Sequence, residues 1–166
     1  MIRFNQRMTA EQFEIVKRHS ANVPVRLGAL AEELGIVVRV STLPHGKSGQ
    51  IAPSKEASSG YTIKVNRHES KNRQRFTLAH EIAHFLLHKD KIGSGIYDSV
   101  LYRADGITNR EEVEANQLAA EIIMPASAIR DRMQNFNGVL DEDAVSVFSS
   151  EFRVSSRAME IRLGLH

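Results

Sequence analysis

From Ser70 to His88 the chain runs without a glycine or a proline, and inside that run lies His80-Glu81-Ile82-Ala83-His84. Leu78, Ile82, Phe85 and Leu86 recur at helical spacing, which predicts a helix buried along one side. On a helix, residues four apart stand one above the other, so the imidazoles of His80 and His84 can converge on a single ion. An H-E-x-x-H sequence in that setting is a zinc-site signature. Glu81, beside the histidine face, is placed to act as general base toward a water at the metal rather than as a ligand. The competing reading is a core helix with two partly exposed histidines. That reading leaves a buried glutamate and two imidazoles in need of other hydrogen-bond partners.

A catalytic zinc site takes three protein ligands and keeps one position for water, so a third donor is required. His88 shares the histidine face, but eight residues beyond His80 it lies about 12 Å along the axis, too far for the same ion. The residue six beyond His84 is Asp90, with no glycine turn before it, so the metzincin arrangement is absent. The segment Asn109 to Ile123 returns to helical spacing through Val113, Leu118, Ala119 and Ile122, and carries Glu111, Glu112, Glu114 and Glu121. Laid antiparallel against the first helix, it projects one glutamate into the site. Glu114 shares a face with Leu118 at four residues and Glu111 at seven, and spacing favours neither.

Two stretches together carry a family resemblance. Arg73-Gln74-Arg75-Phe76-Thr77-Leu78-Ala79-His80-Glu81-Ile82-Ala83-His84, followed by Glu112-Val113-Glu114-Ala115-Asn116-Gln117-Leu118-Ala119 and ending in Met124-Pro125, resembles the ImmA/IrrE family of zinc metallo-endopeptidases. The strong match covers about 30 residues, and Leu118 replaces the phenylalanine usual in the second motif. The resemblance implies a metal set of His80, His84 and Glu114, with Glu114 taken from the Glu-Ala-Asn triplet and Glu111 as runner-up. Burying the ridge Glu114-Leu118-Ile122 against the first helix would also turn Glu114 inward. The resemblance further implies Zn²⁺ as cofactor, Glu81 as catalytic base, and a helix-turn-helix transcriptional repressor as protein substrate. Cleavage of that repressor would switch on mobile-element or stress-response genes. Two other functions compete with it: a non-cleaving partner of a repressor or toxin-antitoxin pair, and a DNA-binding regulator built on the helices flanking Phe152-Arg153-Val154. An intact Glu81 argues against the first, and a last helix with only Arg157 and Arg162 as basic residues against the second.

The expected fold is α+β, a mostly helical zincin-like domain with a small sheet of about three strands packed on the H-E-x-x-H helix. It is read as one domain over 1–166. N-terminal helices and strands occupy 1–69, the metal helix about 70–89, the third-ligand helix about 109–123, and further helices 126–164. Thr9 caps a helix through His19, and Pro24 opens a second that Gly35 terminates. Ile36 to Val40, Gln50 to Ala52 and the strictly alternating Tyr61 to Asn66 read as strands. The last, if an edge, could receive substrate as an added strand. Lys89 to Thr108 shows no period and reads as a lid, a substrate-binding segment or a surface loop. Tyr61, Tyr97, Tyr102 and His88 are candidate oxyanion donors.

Composition closes other routes. There is no cysteine, which removes disulfides and thiolate metal sites and fits a reducing cytoplasm. Net charge is +2, from 22 Lys+Arg against 20 Asp+Glu, which gives no basis for direct nucleic-acid binding. Met1 to Lys17 has no apolar run of signal-peptide length, and no stretch is long enough to span a membrane.

Overall fold

The computed structural model describes residues 2–93, 96–98, 109–136 and 140–165. It is an α+β fold in which helices predominate, as expected. A short 3₁₀ turn, Ile2–Arg7, precedes α1 (Ala10–Ser20) and α2 (Leu27–Glu33). Three strands follow: β1 (Val37–Ser41), β2 (Gly49–Pro53) and β3 (Tyr61–Asn66). Next come the H-E-x-x-H helix α3 (Lys71–Leu87), a short strand β4 (Ile96–Asp98), and helices α4 (Asn109–Ile123), α5 (Ala126–Met133), α6 (Glu142–Phe152) and α7 (Ser156–Leu163).

The helix starts follow their capping chemistry. Thr9 and Gln12 form a reciprocal capping box on α1, and the side chains of Ser70, Asp141 and Ser155 accept from the backbone N–H three residues on in α3, α6 and α7. Gly35 closes α2 with φ of 76°, and a Cβ there would stand 2.5 Å from Ser58 Oγ. Pro24 lies outside α2, which begins three residues later at Leu27.

The sheet is mixed, in the order β1-β3-β2-β4. β3 pairs in parallel with β1, Val38 opposite Ile63, and antiparallel with β2, Ile51 opposite Ile63. β3 is therefore an interior strand, and both its backbone edges are used. The expectation that substrate could add along Tyr61 to Asn66 is corrected accordingly: the edges of this sheet are β1 and β4. β4 is itself a correction, because it arises in the stretch 89–108 that shows no period. Lys89–Lys91 of that stretch form a 3₁₀ turn, while 94–95 and 99–108 lie outside the described residues, as do 137–139 of the expected turn near Gly138.

Helix α3 packs against β2 and β3 and against α4. Ala79, Ile82, Ala83, Phe85 and Leu86 of α3 join Ile51 and Ile63 of the sheet and Ala115, Leu118, Ala119 and Ile122 of α4 in one core. Burying apolar side chains of this size stabilises by about 1.5–3 kcal/mol each relative to exposure. That burial fixes the helix that carries the histidines. One close approach stands out: β2 passes α3 at Gly49, where a Cβ would fall 2.3 Å from Thr77 Cγ2 and 3.1 Å from Glu81 Oε1.

Candidate metal centre

His80 and His84 are buried on α3 with their Nε2 atoms 3.0 Å apart. Glu112 of α4 completes a triangle: Oε2 stands 3.4 Å from His80 Nε2 and Oε1 3.2 Å from His84 Nε2. Ligand bonds of 2.0–2.1 Å in a tetrahedral zinc site put neighbouring donors ~3.3 Å apart. These three donor separations, two of which end on different oxygens of Glu112, lie close to that value, so the donor set fits a divalent cation. His80, His84 and Glu112 are also the group of metal-binding residues whose ligand atoms fall within 4.8 Å of one another among the described residues. Burial pushes the Glu112 carboxyl toward its neutral form, yet hydrogen bonds and charge from His80 and His84 outweigh it and hold the pKa far below the usual carboxylate range.

The acidic residue brought to the histidines is thus Glu112, where the sequence reading put Glu114. The antiparallel packing was anticipated, since His80 meets Asn116 while His84, four residues later, meets Glu112. What differs is the ridge. Glu114, Leu118 and Ile122 are buried as a row, but that row carries Glu114 to Arg7 and the C-terminal end of α3. There Glu114 Oε2 accepts from Arg7 at 2.6 Å and faces His88 Nε2 at 3.3 Å, while Oε1 accepts from Arg110 at 3.2 Å. Hydrogen bonding from Arg7, opposed by burial and reinforced by His88 and Arg110, lowers its pKa to about 2. Glu111, the runner-up, pairs with Lys91. A metal that must admit a substrate sits at the margin of an interface rather than at its centre, and Glu112, partly exposed, is at that margin.

Hydrogen bonds behind the triangle fix which nitrogen of each imidazole faces it. Asn116 Oδ1 lies 3.0 Å from His80 Nδ1, so an Nδ1–H donated there leaves the Nε2 lone pair for the ion. Behind His84 the chain is longer. An ionised Glu114 only accepts, so His88 donates Nε2–H to it and turns an acceptor Nδ1 toward His84 Nδ1, 3.0 Å away. With an ion in the site, His84 carries its proton on Nδ1 and turns the Nε2 lone pair to the metal in place of the Glu112 contact. Burial favours the neutral His88 this arrangement needs, against the pull of Glu114. Asn116, His88 and Arg7 were not picked out for these roles from sequence. The first two had a signal, each being four residues beyond Glu112 or His84 on the same helix face; Arg7 had none.

Glu81 is fully buried between α3 and β2, one residue past the first ligand and beside Gly49. Of the oxyanion candidates, His88 has both ring nitrogens engaged. Tyr61 packs edge-on against Phe85 at 5.7 Å, under the ammonium of Lys89. Tyr102 and the side chain of Tyr97 lie outside the described residues.

A two-histidine, one-carboxylate centre on a helix pair backed by a small mixed sheet is the class of site this fold defines. Residues 31–164 match the IrrE N-terminal-like domain family of peptidases, and the chain belongs to that family. It is 39% identical over 77 residues to the radiation response metalloprotease IrrE of Deinococcus deserti, a stretch covering 46% of this chain and 27% of that protein. It is likewise 39% identical over 75 residues to the protein of the same name from Deinococcus radiodurans, covering 45% of this chain and 22% of the relative. The matched stretch thus spans about a quarter of the length of these relatives.

Proposed function

We propose that the protein is a zinc-dependent endopeptidase, with His80, His84 and Glu112 as metal ligands and Glu81 as general base. The observation that carries this reading is the convergence of His80 Nε2, His84 Nε2 and the two Glu112 carboxylate oxygens at 3.0–3.4 Å, with a buried glutamate next in sequence to His80. The relatives' name, metalloprotease, supports the peptide bond as the bond broken. Zinc, when bound, lowers the pKa of water toward ~7 and polarises a carbonyl. Glu81 accepts the proton of the attacking water and passes it to the leaving amine, so one carboxylate serves as base and then acid. His80 and His84 are held in the metal-accepting tautomer by Asn116 and by His88, which keeps both rings oriented before substrate arrives.

For the substrate we propose a helix-turn-helix repressor, on the resemblance of the two motifs to ImmA/IrrE proteins, and for the location the cytoplasm, where such repressors act. Among the described residues no helix is long and apolar enough to cross a membrane. The test is incubation of zinc-loaded protein, and of Glu81→Gln, with the helix-turn-helix repressor encoded nearest its gene. Cleavage by the first and not the second supports the reading. Stable binding without cleavage by either would favour the non-cleaving partner.

A further inference from the structure

A groove of about 830 Å³ runs between the first half of α3, the length of α4 and the C-terminal helix α7. We propose that this groove is the specificity surface for the substrate chain, and that it seats a segment of about five residues rich in apolar and acidic side chains. The proposal deepens the endopeptidase reading and rests on it for the reaction, though not for the binding.

Three observations carry it. The groove adjoins the candidate metal centre, because Asn116, whose Oδ1 lies against His80 Nδ1, and Val113, next in sequence to Glu112, are both part of its wall. Phe76, one helical turn before His80, forms another part of that wall. Its walls are apolar where a folded surface is normally polar: Val113 and Ile161 are 53% and 58% exposed, and Phe76, Ala120 and Met124 lie with them. Its rim is basic. Arg3, Arg73, Arg157 and Arg162 line it against a single carboxylate, Glu121, while the whole chain is nearly neutral. Arg162 is held in place by donating Nε–H to the Met124 carbonyl, and Arg157 pairs with Glu160 on its own helix. Four guanidiniums around an apolar trough favour carboxylates flanking an apolar side chain, through bidentate pairing.

Length sets the span. From Val113 to Met124 the helix advances about 16 Å. An extended chain advances ~3.3 Å per residue, which gives about five residues in contact.

The test uses an immobilised, zinc-loaded Glu81→Gln protein and a pool of random decapeptides, with the retained peptides sequenced. Enrichment of Leu, Ile, Val or Phe beside Asp or Glu is expected, tenfold or more over the input pool. Ala120→Trp, which fills the trough, should abolish the apolar preference. The double variant Arg73→Glu/Arg157→Glu should invert the acidic one and, lying at the rim, guards against a folding failure of the first. Retention with no such preference, or a preference unchanged in both variants, overturns the groove. The same pool is then offered to the wild-type protein. Enriched binding without cleavage would leave the groove standing and overturn the endopeptidase reading; cleavage whose flanking residues ignore the groove variants would do the reverse.

Discussion

His84 and His88 meet nitrogen to nitrogen, Nδ1 to Nδ1 at 3.0 Å, and the carboxylate of Glu114 decides which of the two donates. On the proposed ligand set, Glu114 is a positioning residue two hydrogen bonds behind the metal ligand His84. Glu114→Ala and His88→Phe should each weaken zinc binding about 10- to 100-fold, the usual effect of losing a partner behind a ligand. Glu112→Ala should weaken it far more. Competitive titration against a zinc chelator ranks the three. Glu114→Ala losing zinc as completely as His80→Ala would return Glu114 to the ligand set.

Removing a histidine ligand should empty the site. Wild-type protein is expected to hold about one zinc per chain by elemental analysis, and His80→Ala close to none. The same variant should keep the helical circular-dichroism signal, because Ile82, Phe85 and Leu86 bury α3 whether or not the ion is present.

Glu81→Gln preserves shape and removes the base. Its zinc content should match wild type while cleavage of a susceptible substrate falls by ~10²- to 10⁴-fold or more. Equal turnover in a zinc-replete variant would assign water activation to another group.

Gly49 offers a test at the sheet. A methyl there would collide with Thr77 Cγ2 at 2.3 Å and press Glu81 Oε1 at 3.1 Å. Gly49→Ala should cost about 1–3 kcal/mol, the range for overpacking a filled core. Adding Thr77→Ser deletes the methyl that is struck, so the pair should recover part of the loss. Urea denaturation measures both. A Gly49→Ala protein as stable as wild type would mean that β2 can slide away from α3.

The metal helix was legible because its information is local. His80 and His84 face one way by helical geometry alone, Ser70 caps by its own side chain, and Tyr61 to Asn66 alternate as a strand must. Which acid faces the two histidines was not legible, since whether Glu112 or Glu114 reaches them is a matter of how far α4 is rotated against α3. The apolar stripe through Leu118 and Ile122 identifies the buried face, and that stripe selects Glu114. The residue at its margin carries no such mark. β3 illustrates the same limit: alternation announces a strand but says nothing about which neighbours flank it, and β1 and β2 take both of its sides. β4, only three residues long, was too short to show a period.

Because α3 is anchored by the core on one side and by Asn116 and His88 behind its imidazoles, the ion meets ligands that are already oriented. Binding then costs little ordering of the chain, and the ion should act on stability by mass action alone, unlike small zinc modules that fold only around their metal. At a free zinc concentration 100 times the dissociation constant, the native state would gain about 2.7 kcal/mol. For a chain of this size that is a shift of several degrees in Tm. On the proposed zinc-dependent reading, scarcity of zinc would silence the protein without unfolding it, and resupply would restore it at the speed of metal association rather than of refolding.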